Sequence, residues 1–267
     1  MKFLLQTLKF FWMHIFDLSV VCFLYMLPDY LFFKYFASNY PGIFTGENPA
    51  LAILTILVVV LFLSFRQAAL VYVMNTKRLA EMQTLGEILL GTVRVGIQSW
   101  RALWVVNIIR FILMASVVTG AYFLATSFSV SGETGVGIFW GATLAGTIYI
   151  FTRLAYFDFL IVLKQKTAQE ALRLSFKQTT GNWSLFLGVT AITLVLAYFI
   201  VQEHHITLAN EWIGDFRRLF LQMLLICLVQ VLCFLHFSNV DLEHAEVDQS
   251  PNSKLASPKK QSQKFSA

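Results

Sequence analysis

The stretch Thr167-Ala-Gln-Glu170-Ala-Leu-Arg-Leu-Ser175-Phe-Lys-Gln-Thr-Thr-Gly181-Asn-Trp183 lies between two long apolar runs and carries its own helix-starting signal. Thr167 and Glu170 have capping-box spacing, in which each side chain satisfies a free N–H of the first helical turn. Ala168, Ala171, Leu172, Ser175, Phe176 and Thr179 then share one face, and Glu170, Arg173 and Lys177 the other. Gly181 stands where a glycine ends a helix in the left-handed conformation. The pattern predicts a short amphipathic helix, its apolar face on lipid or protein and its basic face in water. What surrounds it reads as membrane.

The same pattern occurs earlier. Thr84, Glu87, Leu89 and Trp100 match Thr167, Glu170, Leu172 and Trp183 at a constant offset, and Thr92 and Arg94 match Ser175 and Lys177 in kind. Upstream, Phe65-Arg66-Gln-Ala68 parallels Thr152-Arg153-Leu-Ala155 across a short insertion, and Leu4-Leu-Gln-Thr7-Leu-Lys9 gives a fainter third copy. A fixed period of this kind predicts a repeated unit of amphipathic helix, spanning helix, outer loop and spanning helix, in parallel orientation. In that unit Thr84, Glu87, Thr167 and Glu170 cap, and Trp100 and Trp183 anchor.

Composition agrees with a membrane setting. Of 267 residues 57% are hydrophobic and 13% charged, against about 45–50% and about 25% in soluble domains. A net charge of +5 is spread over separate loops, so it gives no nucleic-acid-binding patch. Cys22, Cys227 and Cys233 lie in apolar runs without CxxC or histidine partners, which reads as buried thiols, neither a disulfide framework nor a metal motif.

Taken in order, the chain predicts an all-α bundle of about six transmembrane helices with linking amphipathic helices, each span needing ~20 apolar residues. The spans are residues 11–27, 50–74, 103–126, 138–163, 185–201 and 216–237, the first ended by Pro28-Asp29 and none broken by Gly or Pro. Residues 1–240 form the bundle, and residues 241–267, polar and without apolar residues to bury, a disordered tail. Lys2, Lys9, Lys77, Arg78, Arg94, Arg101, Lys164, Lys166, Arg173 and Lys177 fall on one side with the lysines of the tail, whereas the other has Lys34, Arg217 and Arg218. The positive-inside rule makes both termini and both amphipathic helices cytoplasmic.

The run Arg153-Leu-Ala-Tyr-Phe-Asp158-Phe-Leu-Ile-Val-Leu, followed by the Thr167–Trp183 stretch, resembles the signature of the YciC-like family of bacterial membrane proteins. That family is related to the membrane domain attached to some glycerophosphoryl diester phosphodiesterases. The resemblance covers roughly residues 50–235 and implies a multi-pass inner-membrane protein; it supplies no catalytic residues. The phosphodiesterase barrel is absent, since a barrel of that kind needs about 250 residues.

Within the chain no phosphate loop, GxSxG, HExxH or acidic metal box occurs, which predicts no enzyme and no cofactor. His204-His205 are adjacent and diverge, short of the three or four convergent ligands of a zinc site. Asn182-Trp-Ser184 fits a sequon but falls on the cytoplasmic side. The lead is the charge inside the spans: Arg66, Arg110 and Arg153, with Asp17 and Asp158 as charge partners. Counted from the cytoplasmic ends, Asp17 and the three arginines lie roughly 10–17 Å deep, with Asp158 shallower. Such charges pair with one another or line a pathway. One function class is therefore a bundle that takes an anionic phospholipid or solute in a cytoplasm-facing cationic pocket. The other is a membrane scaffold whose amphipathic helices and tail bind partners or lipid. In either case the bilayer is the expected partner. Pairing predicts Asp17 or Asp158 beside Arg66 or Arg153, with both arginines turned into the bundle.

Overall fold

A computed structural model describes residues 2–32, 49–79, 83–127, 133–180 and 211–249, and among them all regular structure is helical. The helices are α1 (Lys2–Leu31), α2 (Pro49–Arg78), α3 (Leu85–Ser127), α4 (Glu133–Arg153), α5 (Phe157–Val162), α6 (Ala168–Thr179) and α7 (Glu211–Gln249). Among the described residues, five stretches are long and apolar enough to cross a membrane: Leu5–Leu31, Pro49–Arg78, Leu85–Ser127, Gly135–Val162 and Leu219–Asn239. Helix is what such sequence must form in lipid, because each backbone N–H and C=O finds its partner within the segment. The expected span at residues 185–201 lies outside the described residues, as do Gly181, Asn182, Trp183, His204 and His205.

Consecutive long helices run antiparallel. Asp17 of α1 meets Lys77 of α2 and Asp29 meets Arg66; Asn107 of α3 meets Ser64 and Gln67 of α2. α7 lies antiparallel to α1, with His236 beside Phe3 and Cys227 beside Leu18. The core gathers where α1, α2, α5 and α7 meet, around Leu18, Leu70, Met74, Phe159 and Phe234. Trp12, Phe16, Phe123 and Trp140 stand exposed on the outside, the arrangement lipid allows and water does not.

Four boundaries differ from the sequence reading. α1 passes through Pro28 to Leu31 instead of ending there; the proline forfeits one backbone donor and crowds the Leu24 carbonyl, and only the last turn follows it. The stretch expected as a separate amphipathic helix before residue 103 is continuous with the span after it, in a 43-residue α3. Nothing in Trp100-Arg-Ala-Leu103 stops propagation once a helix has nucleated. At ~1.5 Å per residue α3 is about 65 Å long, roughly twice a hydrocarbon core of ~30 Å, and Arg94 and Arg101 are exposed in its first half. α7 runs on to Gln249, past the expected end of order at residue 240.

The fourth difference is a break inside the fourth span. α4 ends at Arg153, the chain turns through residues 154–156, and α5 resumes at Phe157. No Gly or Pro is present. The break is held from α6: Ser175, fully buried, donates its hydroxyl to the Arg153 carbonyl at 2.8 Å and accepts from the Tyr156 N–H at 3.2 Å. One side chain thus serves a carbonyl and an N–H that the interrupted helix leaves over. α5 is buried along its whole length and ends where Gln165 turns the chain at φ 50°, with Lys166 N–H returning to the Leu160 carbonyl at 3.1 Å.

Both capping boxes form. Glu170 N–H donates to Thr167 Oγ1 at 3.4 Å and Thr167 N–H to Glu170 Oε2 at 3.3 Å. At the start of α3, Thr84 N–H donates to Glu87 Oε2 at 2.7 Å and Glu87 N–H to Thr84 Oγ1 at 3.4 Å. On α6, Ala171, Ser175 and Thr179 are buried and Glu170, Arg173 and Lys177 exposed. Phe176, expected on the inner face, is 38% exposed.

Candidate functional site

The polar groups of the bundle collect between α2, α3, the α4–α5 break and α7. A layer starts on α2 and α3, where Asn107 donates its amide to Gln67 Oε1 at 2.7 Å and to Ser64 Oγ at 3.1 Å, all three buried. Beside it is a cavity of about 250 Å³. Arg66 and Gln67 from α2, Arg110 from α3, Asp158 from α5 and Gln230 from α7 bring polar atoms to its wall. The remaining lining is aliphatic and aromatic, including Leu63, Phe151 and Val229, apart from the Cys233 thiol.

Each charge is positioned by a different device. Arg66 Nη1 contacts Asp29 Oδ2 at 3.5 Å, an ion pair made by the turn of α1 beyond Pro28. Arg110 lies over the Phe151 ring, 3.8 Å from its centroid, a stacking that a planar guanidinium favours. Asp158, 2% exposed, sits in the first turn of α5, accepts from the Phe159 N–H at 3.0 Å and shares the cavity wall with Gln230. Arg110 and Asp158 attract one another across the site, yet among the described residues no ion pair within 4.0 Å joins them. Gln230 Oε1 is buried with no hydrogen-bond partner, and so are Asp29 Oδ1 and Asn107 Oδ1.

The structure therefore brings together Arg66, Arg110 and Asp158 and separates them from the other two charged candidates. Arg153 belongs to the α4–α6 junction. Its Nη1 donates to Thr180 Oγ1 at 2.8 Å and to the Phe176 carbonyl at 3.4 Å, where a cation complements the negative end of α6. Asp17 pairs with Lys77, near the end of α2, at 2.7 Å. The partner of Arg66 is Asp29, neither Asp17 nor Asp158. Trp100, half-buried, has the Arg101 guanidinium 5.6 Å from its ring centroid. Among the described residues no cluster of His, Cys, Asp and Glu is placed to hold a metal ion.

Sequence reasoning passes over Asp29, Gln67 and Gln230. Asp29 is hidden by Pro28, which reads as the end of a helix. The two glutamines carry a usable signal, since an uncharged amide inside an apolar run needs a partner as a charge does. Comparison of the chain with protein-family models, with curated proteins and with solved structures finds no match in any of the three.

Proposed function

We propose that the chain is a non-enzymatic integral inner-membrane protein that holds the anionic group of a lipid or small solute in this cavity, with Arg66 and Arg110 as the donors. The observation that carries the reading is two guanidinium groups lining one cavity inside the bundle. A membrane segment bears such groups at a cost of several kcal/mol unless they serve a pathway or a ligand. The cationic residues near Lys77, Arg94 and Lys177 support a cytoplasmic location for that side and both termini under the positive-inside rule. The resemblance to the YciC-like family fits the same location. The parallel repeat belongs to this proposal too; in its support, both capping boxes are made, and Thr92 and Ser175, at matching positions, are both fully buried. The test is thermal unfolding of the purified protein in detergent, with and without added phosphatidylglycerol or inorganic phosphate. Stabilisation that disappears in Arg66→Leu and Arg110→Leu is expected; an identical response in wild type and both variants refutes the reading.

One observation favours a scaffold as a second reading. Arg66 has Asp29, and Arg110 faces Asp158, so two arginines and two aspartates balance and can act as a clamp. In that case Arg110→Leu leaves Asp158 buried without its counter-charge, lowers stability by about 3–5 kcal/mol, and added anions change nothing.

A further inference from the structure

We propose that the cavity receives a zwitterionic headgroup of the phosphoethanolamine class, its phosphate on Arg66 and Arg110 and its ammonium on Asp158 and Gln230. The inference rests on the anion-binding reading above and specifies what else the ligand carries.

A site for a plain anion would present donors. This one presents donors and acceptors in separate places. Arg66 and Arg110, on α2 and α3, offer only N–H groups. Asp158 and Gln230, on α5 and α7, offer a carboxylate and an amide oxygen that is buried and unpartnered. A sphere of about 250 Å³ is about 8 Å across, so an anion bound to the guanidinium groups lies within a few ångströms of the Asp158 carboxylate. Like charges that close in a low-dielectric interior repel, which works against a purely anionic ligand. An ammonium two carbons from the phosphate removes that repulsion and supplies the N–H donors that Asp158 and Gln230 Oε1 can accept. It also explains how Arg110 and Asp158, opposite in charge and both lining the cavity, stand apart: a dipolar group between them satisfies each. The charge balance points the same way. Arg66, Arg110, Asp29 and Asp158 sum to zero, and a zwitterion enters without changing that sum, whereas an anion leaves a net charge in the bundle. The half-buried aliphatic side chains of Leu63, Leu225, Ile226 and Val229 at the same cavity are the surroundings of an acyl chain, which favours a phospholipid over a free solute as the source.

The experiment is native mass spectrometry of the full chain in detergent, titrated with phosphatidylethanolamine, phosphatidylglycerol and soluble glycerophosphoethanolamine. Wild type is expected to bind phosphatidylethanolamine more tightly than phosphatidylglycerol, by about tenfold for one charge contact of ~1.4 kcal/mol. Asp158→Asn is expected to abolish or invert that preference, and Asp158→Glu to keep it. Gln230→Leu is expected to weaken phosphatidylethanolamine selectively, and it serves as the arm if Asp158→Asn does not fold. Glycerophosphoethanolamine bound as tightly as the lipid keeps the zwitterion site and makes a free solute its source. Phosphatidylglycerol bound as tightly as phosphatidylethanolamine by wild type overturns the zwitterion inference while leaving the anion reading intact. No binding of any of the three overturns both.

Discussion

Replacing Ser175 by alanine removes a single oxygen and nothing else, yet that oxygen serves two backbone groups of another helix. The Arg153 carbonyl loses a 2.8 Å donor and the Tyr156 N–H a 3.2 Å acceptor, in a place where Ser175 and Tyr156 are both fully buried. A buried group left without a partner costs about 1–3 kcal/mol, and side-chain hydrogen bonds in membrane proteins average ~0.6 and reach ~1.7 kcal/mol. Two groups at the upper part of that membrane range give about 2–3 kcal/mol, on the order of 30- to 150-fold in the unfolding equilibrium. The assay is unfolding of the reconstituted protein by titrated denaturing detergent. Thr179→Ala is the control: the Thr179 hydroxyl bonds the Ser175 carbonyl of its own helix at 2.8 Å, so its loss strands no group of the broken span. Ser175→Ala is expected to unfold at a clearly lower denaturant fraction than Thr179→Ala. If Ser175→Ala keeps the wild-type midpoint, the serine does not hold the break and that account is wrong.

Further outcomes are expected elsewhere. Thr167→Ala and Thr84→Ala should each lose about 1 kcal/mol of helix stability through the cap, read as faster proteolysis at residues 164–180 and 83–95; unchanged cleavage in both counts against the boxes. Gly91→Ala should destabilise, because a methyl there overlaps the Tyr72 ring, whereas Gly86→Ala meets nothing within 4 Å and should stabilise by about 0.5–1 kcal/mol; melting temperatures of equal sign for the pair contradict the α2–α3 packing. Cys22 and Cys227 are both buried at the α1–α7 contact, where the Cys227 thiol donates to the Leu18 carbonyl one turn from Cys22 at 3.7 Å, so mild oxidation of a Cys233→Ser protein should join α1 to α7. A mobility shift on gels that reduction reverses shows the link, and its absence in the native protein, when oxidation of the denatured protein does give it, argues against that helix pairing.

What was legible in the sequence was whatever is decided locally. Span length and hydropathy follow from bilayer thickness, and the two Thr-x-x-Glu boxes act within four residues, so both could be read directly. The charge pairing was not local. Asp29 reaches Arg66 across 37 positions, and only because the helix persists through Pro28. The break after Arg153 has its cause at Ser175, 22 positions away, and no residue at the break announces it. That same break shows why equating Arg66 with Arg153 misleads: in α2 the helix continues and Arg66 enters the cavity, whereas in α4 it stops and Arg153 turns to α6. Arg110, by contrast, stands out in the sequence by itself, because a charge inside an apolar run must find a counter-charge or face a polar site.

The antiparallel contact of α1 with α7 has a consequence in time. Leu18 and Cys227, in contact there, are 209 positions apart. At ~5–20 residues per second of synthesis, the face of α1 that ends against α7 waits about 10–40 s for its partner. That face is Leu18, Val21 and Cys22, side chains that acyl chains solvate without penalty. The two aspartates of α1 are turned to α2, where Asp17 finds Lys77 and Asp29 finds Arg66 as soon as the first hairpin is made. Charges meet early and apolar surfaces late, so the nascent chain can close its longest loop last without carrying an uncompensated aspartate of α1 through the wait.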